Sequence, residues 1–105
     1  MESSYNFRIT DLAERDILEI ARYIISELHA VEAAIKLVDE IDSVISALAS
    51  MPQRYAFVLD ERLRNLGYRK VNVKNYIIFF CIDKDRHIVN IERILYGRRD
   101  WMRIL

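Results

Sequence analysis

The chain has 105 residues, of which 52% are hydrophobic and 30% are charged. This length suits one domain, and the apolar share suffices for a packed core, which excludes disorder as the default state. No stretch of about 18 apolar residues occurs, and the first ten residues lack the basic and apolar segments of a secretion signal, so we expect one cytoplasmic domain over residues 1–105 without a membrane span.

The net charge is zero, but the two parts of the sequence carry net charges of opposite sign. Residues 1–61 contain 5 Lys/Arg and 12 Asp/Glu, whereas residues 62–105 contain 11 Lys/Arg and 4 Asp/Glu. A basic part of this kind can engage a polyanion or an acidic protein segment. The alternative is that each part is a solvated face whose charges are neutralised by neighbours within the fold.

The acidic part predicts a strand followed by a helical hairpin. Tyr5–Thr10 alternates between apolar and polar residues, as a short strand does. Asp11 and Glu14 resemble a capping box, and apolar residues then recur at helical spacing as far as position 28. A second apolar stripe over Ala34–Leu48 predicts another helix, which should end before Pro52.

The basic part predicts three more strands and a short tail. Residues 51–66 form an irregular connection, whose aromatic and aliphatic residues we expect to anchor on the core. The three strands that follow are Tyr68–Lys74, Tyr76–Ile82 and His87–Leu95. Strict alternation in the last of these would place Val89, Ile91, Arg93 and Leu95 on one face, opposite Ile88, Asn90, Glu92 and Ile94.

Together these elements predict an α+β fold of order β-α-α-β-β-β, in which the helical hairpin packs on one face of an antiparallel sheet. Gly97 should end the last strand, and the basic-aromatic tail Arg98–Leu105 should form a turn of helix. Cys81 lies in an apolar strand and is interpreted as a buried small hydrophobe. Because the sequence has no His/Cys/carboxylate cluster and no glycine-rich phosphate loop, we expect no metal ion and no organic cofactor.

Six segments, in this order, resemble the RelE/ParE superfamily of toxins from type II toxin-antitoxin systems. They are Thr10–Ile17, Ile20–Ile24, the second helix, Tyr68–Val71, Asn75–Phe80 and Ile91–Trp101. The resemblance spans nearly the whole chain. It implies a growth-inhibiting toxin that is held inactive by a cognate antitoxin whose disordered segment folds around it. A toxin dimer and a toxin-antitoxin heterotetramer are both open.

The superfamily divides by target, and the RelE-like members resemble ribosome-dependent mRNA endonucleases. RNA cleavage needs a proton acceptor, a proton donor and cations for the phosphate. If this chain is an endoribonuclease, the expected catalytic residues are Arg69, Lys70, Tyr96, Arg98 and Arg99. Ribonuclease members commonly end in a catalytic tyrosine or histidine, whereas this chain ends in Trp101–Leu105. Tyr96 can equally pack at the strand end, and His29 and His87 are interpreted as surface residues.

The ending from Gly97 onward and the long helical hairpin are instead similar to ParE-like members, which act on DNA gyrase. Trapping gyrase is a binding function and needs no general base, so we favour a non-catalytic gyrase inhibitor. The expected surface for the target or the antitoxin comprises Arg69, Lys74, Arg93, Arg98, Arg99 and Trp101. Trp101 is either an exposed anchor or a lid on the core. A degenerate member that only binds its antitoxin is a third hypothesis.

Overall fold

A computed structural model describes residues 5–105; residues 1–4, part of the segment considered above for a secretion signal, lie outside the described residues. The principal elements are β1 (Asn6–Ile9), α1 (Asp11–Leu28), α2 (Val31–Leu48), α3 (Glu61–Asn65), β2 (Arg69–Val73), β3 (Tyr76–Asp83), β4 (Ile88–Tyr96) and α4 (Trp101–Ile104). The predicted α+β class is confirmed. The connection between α2 and β2, expected to be irregular, also contains α3 and a short 3-10 helix, Pro52–Arg54.

A capping side chain, two residues with left-handed backbone and a proline set the ends of the helices in the hairpin. The Thr10 hydroxyl oxygen accepts a hydrogen bond from the Ala13 N–H at 3.1 Å, so the N-cap of α1 is Thr10, one residue before the predicted capping box. The helix ends at His29, whose φ of 52° is left-handed and turns the chain into α2. After α2, Met51 is also left-handed and Pro52 prevents the helix from continuing.

The sheet is mixed, with strand order β1-β4-β3-β2. Strands β2, β3 and β4 form the expected antiparallel meander, but β1 pairs in parallel with β4, with Asn6 opposite Ile88. The chain can reach a parallel neighbour because the whole helical hairpin and two strands intervene. The expectation of a wholly antiparallel sheet is therefore corrected at this one edge.

Strand β4 contains a bulge that changes which side chains face the helices. Phe79 pairs with Arg93 whereas Phe80 pairs with Ile91, so Glu92 has no partner on β3. After this extra residue Ile94 joins Val89 and Ile91 in the helix-side core, and Leu95 lies on the other side. The strict alternation predicted for this strand is thus wrong beyond Ile91.

Both faces of the sheet are covered. The helix-side core contains buried residues from α1, α2 and all three long strands, with Ile41, Ile78 and Phe80 fully enclosed. A second core, on the opposite face, is formed by Val58, Leu63, Ile77, Phe79 and Leu95, over which Tyr68, Trp101, Ile104 and Leu105 pack. Leu59, expected to be anchored, is 84% exposed. Among residues 5–105 no helix is both long and apolar enough to span a membrane.

Candidate functional site

The turn between β2 and β3 meets the end of β4 at one corner of the sheet. The Gly97 N–H donates to the Asn75 carbonyl at 2.8 Å, and a Cβ added at Gly97 would lie 3.2 Å from that oxygen. The close approach favours glycine at this position. It brings the Lys74-Asn75 turn, where Lys74 has a φ of 55°, beside the residues that follow β4. This corner is the candidate functional site.

A cavity of about 330 Å³ opens at this corner. The residues that line it include Asn72, Lys74, Asn75, Tyr76, Tyr96 and Arg98. Among the described residues that line it, none is Asp or Glu. Because both of its charged residues are cationic, the cavity favours an anion.

A larger cavity of about 560 Å³ shares Asn75, Tyr76 and Tyr96 with the first, and its other walls come mainly from α1. Ile20, Tyr23 and Leu28 give it an apolar surface, and its charged lining residues are the acidic Asp16 and Glu19 and the basic Arg99. This second cavity therefore suits an amphipathic protein segment better than a polyanion.

Tyr76 and Tyr96 line both cavities. Their ring centroids lie 5.7 Å apart and the ring planes meet at 64°, an edge-to-face contact that fixes the orientation of both. Burial raises the pKa of the Tyr76 hydroxyl, and the neighbouring Tyr96 and Tyr23 raise it further. Tyr76 is therefore a neutral phenol at physiological pH, while Tyr96 is 39% exposed at the surface of the site.

The predicted cations Arg98, Arg99 and Lys74 reach this corner. Arg98 lines the smaller cavity and Arg99 the larger one. Both are exposed, and no ion pair connects either of them to another residue in the part of the chain that the structure describes. Lys74 Nζ lies 3.6 Å from Glu40 Oε1 on α2, in a pair whose side chains are both about half exposed or more. Such an exposed ion pair contributes little to stability, and Lys74 can readily change its partner.

Arg93 is engaged inside the fold. Its Nε and Nη2 donate to the two carboxylate oxygens of Asp16 at 2.8 and 2.9 Å, and only 18% and 8% of the two side chains are exposed. The hydrogen bond with Asp16 raises the pKa of the Arg93 guanidinium. A role for Arg93 on a target surface would require this buried pair to break, so we leave it out of the site.

Arg69 is also held internally, whereas Lys70 beside it has a half-buried side chain. The Arg69 guanidinium donates to the carbonyls of Gln53 and Tyr55 at 3.0 and 2.6 Å and lies 3.9 Å from the centre of the Phe57 ring. Burial lowers the pKa of Arg69, but the group stays protonated at neutral pH. The structure thus uses Arg69 to hold the connection between α2 and α3 against β2. Neither Arg69 nor Lys70 lines the two cavities at the corner.

Trp101 packs on the core. Its indole lies 5.2 Å from the Phe79 ring, at 44°, in the second core. The Arg62 guanidinium donates to the Met102 carbonyl at 2.9 Å and holds α4 in place from α3. The tail therefore has the position expected of a lid, and Trp101 is only partly exposed.

Neither histidine is among the residues that line the two cavities. His87 stacks on Tyr5 at 4.5 Å at the opposite end of β4, and His29 is exposed where α1 ends. Burial, with a contribution from Glu92, raises the pKa of the Cys81 thiol to about 12, so this cysteine is neutral at physiological pH. Within residues 5–105 no group of three or more His, Cys, Asp or Glu residues could hold a metal ion.

The comparisons with known proteins agree with this architecture. Residues 7–101 match the family described as "ParE toxin of type II toxin-antitoxin system, parDE". The chain belongs to the ParE toxin family. No curated protein matches the sequence.

Two solved structures resemble this ParE family member in fold. A chain of the chromosomal ParDE toxin-antitoxin system from P. aeruginosa is 20% identical, with a TM-score of 0.72 over 89% of this chain and 96% of that one. A chain of the toxin-antitoxin complex RelBE2 from Mycobacterium tuberculosis is 19% identical, with a TM-score of 0.61 over 90% of this chain and 92% of that one. At these identities the likeness extends to the fold alone.

The residues predicted for the site of this ParE toxin include Lys74, Tyr96, Arg98 and Arg99, which line the cavities at the corner, but not Tyr76, Asn72 and Asn75, which also line them. The sequence predicts Tyr76 in the central strand, but no local sequence pattern shows that the C-terminal end of β4 lies beside it. The available signal was the Lys74-Asn75 turn, since a tight turn places the residues before and after it at a sheet corner. Its pairing with Gly97 depends on the register of two strands and is not visible in the sequence.

Proposed function

We propose that this chain is a growth-inhibiting toxin that poisons DNA gyrase and is neutralised by a cognate antitoxin. Membership of the ParE family supports the toxin function. The choice of gyrase as the target rests on the residues exposed at the corner of the sheet. There Arg98 and Arg99 are exposed, with no ion pair to another described residue, in a site whose lining has two exposed tyrosines, Tyr23 and Tyr96, and no histidine. Such a surface suits binding to a macromolecule rather than acid-base catalysis.

The endoribonuclease alternative is supported by one observation. Tyr96 and Arg98 line the same cavity, so a proton-transferring phenol and a phosphate-binding cation could act together. A second acid-base group is needed, and among the described residues of this cavity the candidates are Lys74 and the neutral Tyr76. Arg69, expected both among the catalytic residues and on the target surface, is bound to two backbone carbonyls and so supports neither target. We therefore keep gyrase as the first choice.

The proposed antitoxin would cover the larger cavity. Its apolar walls on α1 and the charge of Arg99 suit an amphipathic segment with an acidic residue at one end. The two solved structures with this fold are both from toxin-antitoxin systems, which supports a partner of this kind. A dimer or a heterotetramer with the antitoxin stays a prediction. Both proposed targets lie in the bacterial cytoplasm, where we expect the toxin to act.

The test is a supercoiling assay with purified gyrase, beside primer extension on translated messages after the toxin is induced. We expect the wild-type chain to block supercoiling and to leave messages intact. Arg99→Gln should weaken the inhibition by about tenfold, since a charge-assisted contact contributes roughly 1.5 kcal/mol. Arg86→Gln is the matched control, because Arg86 is exposed at the opposite end of the sheet. Message cleavage with unaffected supercoiling would reject gyrase as the target.

A further inference from the structure

The turn that carries Arg98 and Arg99 connects the end of β4 to α4 and is attached at both of its ends. At its start the Gly97 N–H donates to the Asn75 carbonyl at 2.8 Å, in a contact that leaves little room for a Cβ. At its end Trp101 begins α4 and packs on the second core. Only three residues lie between these two attachments, so the backbone of the turn has little freedom.

Two hydrogen bonds inside the turn define its shape. The Arg99 N–H donates to the Tyr96 carbonyl at 3.0 Å, and the Trp101 N–H donates to the Arg99 carbonyl at 2.8 Å. These bonds alone do not hold a loop in one conformation, because a backbone hydrogen bond contributes only a small net stability in water. The order of the turn therefore depends on its attachments at Gly97 and Trp101.

The attachment through α4 is made by two contacts. The Trp101 indole lies 5.2 Å from the ring of Phe79, which is fully buried, and the last residues of the chain pack on the same core. From α3, the Arg62 guanidinium donates to the Met102 carbonyl at 2.9 Å. A helix as short as α4 is not stable by itself in water, so these contacts hold it in place.

We propose that the docking of α4 positions Arg98 and Arg99 for the target. Phe79 and Arg62 are then positioning residues, since Phe79 is 0% exposed and cannot reach a partner, while Arg62 acts through a backbone carbonyl. A target that meets two guanidinium groups on a fixed turn does not have to order that turn, which reduces the entropy lost on binding. The inference rests on the proposed function, because inhibition of gyrase is the activity that depends on these arginines.

Phe79→Leu tests the proposal in the full chain, because it removes the ring on which Trp101 packs. Phe80→Leu is the matched control, since Phe80 is the next residue of β3 and is also 0% exposed but faces the helix-side core. Both variants should lose similar stability, and urea unfolding shows that they are folded in the assay. Phe79→Leu should weaken the inhibition of supercoiling by about tenfold, as expected if about one molecule in ten keeps the turn in place. Phe80→Leu should inhibit like the wild type.

Amide hydrogen exchange measures the turn itself and needs no target. The N–H groups of Arg99 and Trp101 are hydrogen-bonded within the turn, so a fixed turn protects them. Their exchange should be at least about tenfold faster in Phe79→Leu, because the open turn changes from a minor to the major population. Acrylamide quenching of Trp101, the only tryptophan, should increase in the same variant. Phe80→Leu should change neither reading, and unchanged exchange in Phe79→Leu would overturn the proposal.

Arg62→Ala loosens α4 without altering either core, which keeps the proposal testable if Phe79→Leu does not fold. The variant loses the hydrogen bond to the Met102 carbonyl. Exchange of the Arg99 amide should therefore be about two- to tenfold faster, the factor that corresponds to one hydrogen bond. Arg64→Ala removes the same charge from another exposed position of α3 and should leave the exchange unchanged. Equal exchange in the two variants would overturn the role of Arg62.

The outcomes distinguish this inference from the proposed function. A wild-type chain that does not block supercoiling would reject gyrase as the target, and amide exchange would then support or overturn the positioning of the turn by itself. Inhibition that is lost equally in Phe79→Leu and Phe80→Leu would reflect stability alone and would overturn the inference. Full inhibition by Phe79→Leu with a loosened turn would also overturn it, because the target would then not require a fixed turn.

Discussion

The buried carboxylate of Asp16 accepts three hydrogen bonds from two residues. It accepts both hydrogen bonds from Arg93 and a third, at 2.9 Å, from the Ile94 N–H. Removing one member of a buried pair leaves the other charge without compensation, which costs about 3–5 kcal/mol. We therefore expect Asp16→Asn to lower the free energy of unfolding in urea by about 3 kcal/mol.

Asp100→Asn is the control for this variant. Asp100 pairs with Arg103 at 3.5 Å, and the two side chains are 62% and 87% exposed. A surface pair of this kind contributes less than about 1 kcal/mol, so the control should be close to the wild type. If both variants lost the same stability, the Asp16–Arg93 pair would not have the structural role assigned to it.

Glu92, the unpaired residue of the bulge, gives a pH dependence of stability. Burial raises the pKa of its carboxyl group. A group whose pKa is higher in the folded than in the unfolded protein binds its proton more tightly in the folded state. The free energy of unfolding should therefore decrease as pH rises from the ordinary glutamate pKa through the raised one. Glu92→Gln should remove this decrease and make the protein more stable at neutral pH.

Urea unfolding at a series of pH values measures this effect. Asp39→Asn removes a carboxylate that is exposed on the middle of α2 and serves as the control. A profile of Glu92→Gln that coincides with the wild-type profile would show that burial of this carboxyl group costs nothing.

The bulge in β4 explains why sequence reasoning failed beyond Ile91. A bulge frees backbone groups from the ladder, and here their partners come from distant side chains. The Thr10 hydroxyl donates to the Glu92 carbonyl at 3.0 Å, and Asp16 accepts from the Ile94 N–H. Neither residue lies near β4 in the sequence. A period-two pattern cannot show such a shift, whereas the helices were predicted well because their apolar stripes are local.

The tail element offers a test of its own. Trp101 packs on Phe79, and the Met102 carbonyl accepts from Arg62, while the Met102 side chain is 47% exposed. Trp101→Ala should lower the free energy of unfolding by about 2 kcal/mol, less than for a fully buried tryptophan. Met102→Ala keeps the backbone contact and should cost under about 0.5 kcal/mol. Equal stability of Trp101→Ala and the wild type would favour an exposed anchor over a lid.

On the scale of the whole molecule, the sequence shows the division of charge but does not show which basic residues form ion pairs within the fold. Two pairs connect the basic part to the acidic helices, through Lys74 with Glu40 and Arg93 with Asp16. For these residues the alternative of internal neutralisation applies. Arg98 and Arg99 have no such partner among the described residues. Strand register and the bulge decide which basic residues form internal ion pairs. The sequence therefore predicts the site only as a set of candidate residues.

The central strand β3 joins the two cores, because Ile78 and Phe80 face the helices while Ile77 and Phe79 face the tail. A strand that supplies both cores cannot leave one without disrupting the other, so we expect a single cooperative unfolding transition. Trp101 is the only tryptophan of the chain and reports on the tail side, whereas far-UV circular dichroism reports mainly on the helices. The two urea transitions should coincide. Phe80→Ala, which opens the helix-side core, should move both midpoints equally as it removes about 3 kcal/mol of stability. A fluorescence change at lower urea would instead show that the tail and the second core unfold separately.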